Sequence, residues 1–399
     1  MADTLLTADM ITREALRIAH QSGNFIRNIT RSYDGSFAKT GAKIGDTLRI
    51  RLPNQFTVSS GLDITANIQD ITEASTTLAV QTVKNVAWDF TMQELTMKLD
   101  DYSDRILKPA VARLVADVES DAISMYKDVF TIQDDDTVAL SYLDIAKARR
   151  FLNENLAPDD DNRCAILSPF HTVKALDAEK GLFNAQEAIA KQFKKGQIAH
   201  QSGFDFYENT LLTDHQTGTA AKVTAYLSNG ATQTGASIAV DTGVTTFKKG
   251  DVITFAGTNA VHPETKASYG YLKMFVITAD YAGGAGNLAI SPSVVAAGAT
   301  QNVSQSIADN SAITKVAAGA SELINTSLLF HPEAFVFATA DLMQPMSAEL
   351  ASRKVLDGIS LSFVVDYDIL KHRNIARLDI LYGFKTVRGE WAVRLHADG

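Results

Sequence analysis

The sequence predicts an α+β protein in which one domain is interrupted by another, and three observations carry that expectation. An apolar stripe at helical spacing runs from Tyr102 to about Phe130. Helix and strand signals alternate over residues 131–216 and return after residue 320. Between those stretches the texture changes: charges thin out, Gly, Ala, Ser and Thr dominate, and short strand-like runs recur at even spacing.

The chain has 399 residues, of which 46% are hydrophobic and 21% charged, enough for two or three domains with substantial cores. Its formal net charge of -9 argues against a molecule-wide positive field for nucleic acid. Cys164 is the only cysteine, so an internal disulfide and a multi-cysteine zinc site are both excluded. The opening "MADTLLTADM" lacks a basic segment followed by an apolar one, and no apolar run approaches the roughly eighteen residues of a membrane span. A soluble, cytoplasmic protein with no membrane partner is expected.

Taken in order, residues 1 to about 35 read as a helical arm. Ile11, Ala15 and Ile18 share one face, with Arg13 and Arg17 beside them, and Gly23 ends the helix. Next, Leu48, Ile50 and Leu52 alternate with Arg49 and Arg51, giving a strand with one apolar and one cationic face. A return strand is expected through Leu78, Val80, Val86, Trp88 and Phe90, with a polar tip from Ser59 to Ser75. A hairpin alone is marginal in water, so its apolar face needs a cover, and a neighbouring copy of the chain is one candidate.

In the long helix Val111, Val115, Val118, Ala122, Met125 and Val129 form the buried stripe, and Asp117, Asp121 and Asp128 the opposite face. Pro109 lies near its start, where a proline is tolerated or leaves a kink. Ser141 and Asp144 suggest a capping box for a helix to Asn155, "CAILSPF" a buried strand followed by a helix, and "QEAIAKQFKKGQIAHQSGFDFYEN" a helix that breaks at Gly196 before a strand. Residues 217–320 hold "KVTAYL", "ASIAVD", "DVITFAG", "YLKMFVITAD" and "NLAISPSVV", separated by turns such as "SNGATQTG" and "AGGAG", and predict a small β-barrel. The turn-and-strand pattern of "KIGDTLRIRLP" recurs in "FKKGDVITFAG"; in each a Gly-Asp pair permits the tight backbone that starts a strand.

No catalytic, cofactor-binding or metal-ligating set emerges. His262-Pro263-Glu264 and His331-Pro332-Glu333 lack the downstream cysteines of a zinc deaminase and read as turns. The acidic triplets Asp134–Asp136 and Asp159–Asp161 lack calcium-loop spacing. "GGAG" at Gly283–Gly286 is not a dinucleotide fingerprint, and neither a phosphate-binding loop nor a nucleophile elbow is present. Lys191, Lys194 and Lys195 around Phe193 read as a solvated helix face. No enzyme is expected.

The order of arm, extended hairpin, long helix and interrupted α+β domain resembles a tailed-phage major capsid (coat) protein with the Hong Kong 97 fold, of the phage P-twenty-two coat type. "GQIAHQSGFDFYENTLL" followed by "TGT", "FKKGDVITFAG", "LLFHPEAFVFA" and "RLDILYGFKTVRGEWAVRL" carry the resemblance across nearly the whole chain. The resemblance implies an N-terminal arm at 1–40, an extended loop at 41–92, the spine helix and peripheral domain at 93–130, an apical domain at 131–216 and 321–370, an inserted β domain at 217–320, and closing peripheral strands at 371–399. It further implies pentamers and hexamers of an icosahedral shell around DNA, a scaffolding protein, a portal, decoration proteins, and a place in the virion after assembly in a host cytoplasm. Arg49, Arg51, Trp88 and Arg13 are the candidate subunit contacts, with the two hairpin arginines facing acidic groups of the next copy. The alternatives are an encapsulin-like compartment and a β-rich tail or adhesin component.

Overall fold

The computed structural model describes residues 8–31, 47–58, 62, 68–69, 75–90, 103–134, 142–179, 202–317, 319–340, 342, 350–356, 359–368 and 373–398. The chain divides into two compact units, Met1–Leu52 with Ser75–Ile123 and Phe335–Val387, and Pro53–Ala74 with Ser124–Ala334 and Arg388–Gly399. The Gly45-Asp46 turn and the lysines around Phe193 lie outside the described residues.

In the first unit an antiparallel sheet is organised around the strand Arg373–Thr386. One edge of this strand pairs with Thr82–Phe90. Its other edge pairs first with Ile359–Asp368 and then with Phe335–Ala340, and Leu350–Leu356 extends the sheet beyond Ile359–Asp368. The expected return strand of the hairpin is therefore corrected. Only Ser75–Ala79 pairs with Thr47–Arg51, whereas Val86 and Trp88 sit in a sheet strand whose partner lies almost three hundred residues away in sequence. Phe335–Ala340 and Ile359–Asp368 pair with Arg373–Thr386, while the last strand, Ala392–Asp398, pairs with Leu323–Phe330 in the second unit. Gly383 allows the hairpin to approach the central strand: a Cβ there would meet the Ala79 carbonyl oxygen at 2.2 Å.

The long helix is Lys108–Ile123, preceded by a π-turn at Ser103–Leu107 and followed by a 3-10 turn at Ser124–Asp128. Its 16 residues span about 24 Å, shorter than the stripe to Phe130 suggests, because the last apolar positions fall in the tighter turn. Val111, Leu114, Val118 and Ala122 are buried at three- and four-residue steps. Pro109 is the second residue of this helix, directly after the π-turn. Asp117 and Asp121 are not merely a solvated face: Lys84 Nζ reaches them at 2.8 and 3.2 Å, and the Tyr382 hydroxyl donates to Asp121 at 2.6 Å.

The arm helix, Ala8–Ser22, packs on the long helix and on the strands Leu350–Leu356 and Ile359–Asp368 of its own chain. It buries Ile11, Ala15, Leu16 and Ile18 there. Where it ends, the buried carboxylate of Glu119 on the long helix accepts hydrogen bonds from the backbone N–H groups of Asn24 and Phe25 at 3.0 and 2.7 Å. Phe25 then packs on Phe335, and Thr30 exchanges backbone bonds with Phe335 and Phe337. The hairpin base is covered in the same way, with Leu48, Ile50 and Leu78 buried against Val336. The expectation that a neighbouring copy covers the hairpin's apolar face thus needs correction: the chain itself covers the base.

The second unit contains a mixed six-stranded sheet in the order Ile132–Asp134, Ala392–Asp398, Leu323–Phe330, Cys164–Leu167, Asp205–Glu208, with His215–Gln216 pairing on Leu323–Phe330. The helices Tyr142–Glu154 and Pro169–Glu179 cover one face. Ile145, Ala148 and Leu152 pack there on Leu329, Val393 and Leu395. By the two-residue period of a strand, Leu328, Arg394 and His396 turn to the other face, where the inserted barrel lies and Arg394 donates to the Gly250 carbonyl at 2.8 Å. The barrel closes from Val223–Ser228, Gly235–Asp241, Val252–Val261, Ser268–Ile277, Gly286–Val294 and Ala312–Val316 around Phe255, Phe275, Ile238 and Leu288. Closure leaves it no free strand edge.

An insertion is tolerated where the chain leaves and returns at one place. Here Gln216 pairs with Leu323 and His215 with Ile324, and the Thr217 N–H donates to the Glu322 carbonyl. Asp251, the acid of "FKKGD", locks this stem. One carboxylate oxygen lies 3.0 Å from His215 Nε2, and the other accepts from the N–H groups of Gly218 and Lys248 at 3.0 and 2.9 Å. Gly250 holds a φ of +100°, and a Cβ there would sit 2.8 Å from the His215 ring. A second tie joins barrel to helix, as Tyr269 and Tyr271 donate to the backbone carbonyl and carboxylate of Glu154 at 3.0 and 2.7 Å.

Two predictions follow from these buried polar groups. Glu119→Ala leaves one buried and one part-buried backbone donor unanswered and is expected to lower stability by about 3 kcal/mol. In limited proteolysis the arm should become the first site cut; an arm as resistant as wild type would contradict its anchoring by Glu119. Second, His171, His215 and His396 are all buried, and burial pushes each below its usual value, His171 to about 4. The unfolded chain then binds protons more readily than the fold does. Stability is fully present above about pH 6.5 and drains as pH falls toward about 4, by about 3 kcal/mol for His171 alone. Urea midpoints measured across that window should fall, and less steeply in His171→Gln; a flat profile would refute the assignment.

Candidate assembly surface

Arg49 and Arg51 lie on the exposed face of Thr47–Arg51, opposite buried Leu48 and Ile50. Arg49 Nε donates to Ser75 Oγ at 2.9 Å across the hairpin, which holds the guanidinium in place while leaving it exposed. Arg13 is exposed on the arm helix, one turn from the Arg17–Glu14 pair at 2.6 Å. Trp88 is half-buried on Thr82–Phe90, its ring 6.1 Å from that of Phe363. The arginines belong to hairpin and arm and Trp88 to the sheet, so the four do not form one site.

The polar tip from Ser59 to Ser75 and the residues just before it carry exposed apolar side chains. Phe56 is 58% exposed and Ile68 76%, and Val58 and Leu62 are fully exposed. Large apolar side chains this open are costly in water when they share one segment, which makes the segment a candidate interaction surface. Gln69 fixes part of the tip: its side chain accepts from the Thr57 N–H at 2.9 Å and donates to the Thr57 carbonyl at 2.8 Å. The signal was present in "QFTVSSGLDITANIQD", where apolar residues interrupt the polar run without the alternation of a half-buried strand.

The remaining motifs act locally. His262 Nδ1 accepts from the N–H groups of Glu264 and Thr265, and His331 Nδ1 accepts from that of Glu333, so both His-Pro-Glu triplets are self-capped turns. Asp159 pairs with Arg149 at 3.0 Å and Asp160 lies 3.3 Å from His331 Nε2. Among the described residues no group of three or more His, Cys, Asp or Glu could hold a metal ion. Cys164 is buried, and burial with the Asp205 charge pushes its thiol up to about 12, which removes it as a nucleophile at neutral pH. Lys84, on Thr82–Phe90, is held above its usual value chiefly by its bonds to Asp117 and Asp121 of the long helix, so it stays a cation. No described helix is long and apolar enough to cross a membrane.

Residues 38–395 match the family model described as P22 coat protein, gene protein 5. The major capsid protein of Acyrthosiphon pisum secondary endosymbiont phage 1 is 26% identical over 165 residues, which is 40% of this chain and 38% of that protein. Among solved structures, Mycobacterium phage Che8 aligns over 94% of this chain and 90% of that one, at 12% identity and a TM-score of 0.48. The capsid of Ralstonia phage GP4 aligns over 100% and 94%, at 8% identity and 0.45. A virus-like particle from Pyrococcus furiosus aligns over 96% and 97%, at 9% and 0.39. The family match spans arm end, hairpin, long helix, both sheets and inserted barrel without interruption, and the chain belongs to the P22 coat protein family.

Proposed function

We propose that this chain is the major capsid protein of a tailed phage and that many copies close into an icosahedral shell around packaged double-stranded DNA. The family match over residues 38–395 carries the reading. The exposed apolar tip supports it, because each fully buried Val, Leu, Ile or Phe contributes roughly 1.5–3 kcal/mol when a neighbour covers it. A shell sums such modest contacts over every subunit. The work is associative, and the buried thiol and self-capped histidines fit a structural role. A chain of net charge -9 suits a container that must not grip its contents. Pentamers and hexamers are the units of such a shell. A scaffolding protein, a portal and decoration proteins are its proposed partners, and the virion is its proposed location.

Arg49, Arg51, Arg13 and Trp88 are proposed as subunit contacts, with the hairpin arginines facing acidic groups on the next copy. Reversing both hairpin charges with Arg49→Glu and Arg51→Glu should stop shell closure while leaving the subunit folded, as exposed substitutions cost little stability. Particles of normal shape in negative stain would remove this role. Val58→Asp with Leu62→Asp should shift the expressed protein from sedimenting particles to subunits, with a melting transition within about 0.5 kcal/mol of wild type. If those particles form normally, the tip is not an assembly surface; if wild-type protein gives rods or isolated trimers instead of closed shells, the capsid reading itself fails.

A further inference from the structure

On the sheet face that meets the barrel, Arg394, His396 and Thr326 make an unusual polar cluster. Their relative exposures are 0%, 3% and 1%. His396 stands directly opposite Thr326 across the strand pair, and Arg394 lies two residues before His396, on the same face. Arg394 uses only Nη2, which donates to the Gly250 carbonyl at 2.8 Å. Its Nε and Nη1, both ring nitrogens of His396 and the Thr326 hydroxyl meet no hydrogen-bond partner among the described residues. Buried polar atoms in folded proteins are normally answered, so five such atoms in one patch call for a guest.

The chemistry of the patch selects that guest. Arg394 is held down to about 10 by burial and remains a cation at neutral pH. No described carboxylate lies within ion-pair distance of it. Asp251 is already engaged by His215, Gly218 and Lys248, and Asp128 pairs with Lys249 at 3.3 Å. The Arg394 guanidinium lies 6.0 Å from the Tyr126 ring centre, a ring contact that supplies no full counter-charge. His396 is kept neutral by burial first and by the Arg394 charge next, so it supplies one N–H. The free donors are then the N–H groups on Nε and Nη1, the imidazole N–H and the hydroxyl, against few acceptors. Water brings as many donors as acceptors and leaves the cation unanswered. An acceptor-only particle of single negative charge answers both deficits, and the near-complete burial of all three side chains favours one of roughly monatomic size.

We propose that Arg394, His396 and Thr326 bind a small monovalent anion of the halide class at the seam between the six-stranded sheet and the inserted barrel. By neutralising Arg394 the anion stabilises the grip of that side chain on Gly250, the turn that starts a barrel strand, and so fastens the barrel to the sheet. The site is independent of shell formation, and either conclusion stands if the other fails.

The test uses full-length purified subunit. Chloride-35 NMR should show excess line broadening that bromide displaces, and the thermal midpoint should lie several degrees higher in sodium chloride than in sodium gluconate at equal ionic strength. Thr326→Val should weaken chloride by roughly tenfold, about the value of one hydrogen bond to a charged group. Should that variant fail to fold, anomalous scattering from bromide in crystals of the wild-type subunit decides: a peak within hydrogen-bond distance of Arg394 Nε supports the site. Equal midpoints in the two salts without excess broadening overturn it. Bromide density elsewhere with only water at Arg394 does the same, as does undiminished chloride binding in folded Thr326→Val.

Discussion

A carboxylate removed from water must be answered by donors, and this chain places two such carboxylates where distant segments have to be held together. Glu119 sits on the long helix and takes the backbone N–H groups of Asn24 and Phe25, so the arm cannot leave without stranding a buried charge. Asp251 sits at the first turn of a barrel strand and takes donors from His215, Gly218 and Lys248. Apolar contact is less directional than a hydrogen bond to a charge. A charge with two or three directed bonds fixes where the arm ends and where the barrel stem closes. The surrounding hydrophobic clusters supply the bulk of the stabilisation around these fixed points.

The same constraint explains how a whole barrel can be carried as an insertion. The residues before and after it, His215–Gln216 and Leu323–Ile324, are paired to each other, so the host sheet sees a short, closed stem. Barrel closure satisfies every strand edge within the insertion itself. What remains is orientation, set by Asp251, by the two tyrosine bonds to Glu154 and by the Arg394 bond to Gly250. These are few, polar and directional, and apolar contacts such as Phe130 and Ile132 on Val252 and Val276 fill the space between them.

Much of this was legible in the sequence wherever a local rule decides the outcome. The stripe through Val111, Val118 and Ala122 announces a buried helix face, and "FKKGDVITFAG" announces a turn and a strand, as found. Strand existence was legible at Val86 and Trp88, but strand partnership was not. Alternation says that a segment is extended, whereas its neighbour is chosen by register with Arg373–Thr386 far along the chain. Glu119 was invisible for a related reason: a glutamate on a helix reads as solvated until the backbone donors that reach it are known. Exposed Leu62 and Ile68 within the polar tip, and Phe56 and Val58 just before it, were not singled out because polar residues outnumber them there.

Those four side chains bear on the difference between a subunit and a shell. Among the described residues, the arm helix and the hairpin base cover their apolar faces within their own chain. In the proposed shell, association falls to the tip, whose apolar residues are interspersed with Thr, Ser, Asn and Asp, and to the exposed Arg49 and Arg51. Apolar groups so diluted bind weakly one at a time, and the surrounding polar residues oppose indiscriminate aggregation. Weak contacts repeated with fixed geometry are what a closed lattice requires: misplaced copies can dissociate and be corrected, while the finished shell multiplies a small contact by the number of subunits. A subunit that hid everything could not assemble, and one that exposed the arm and hairpin base as well would associate before it had folded.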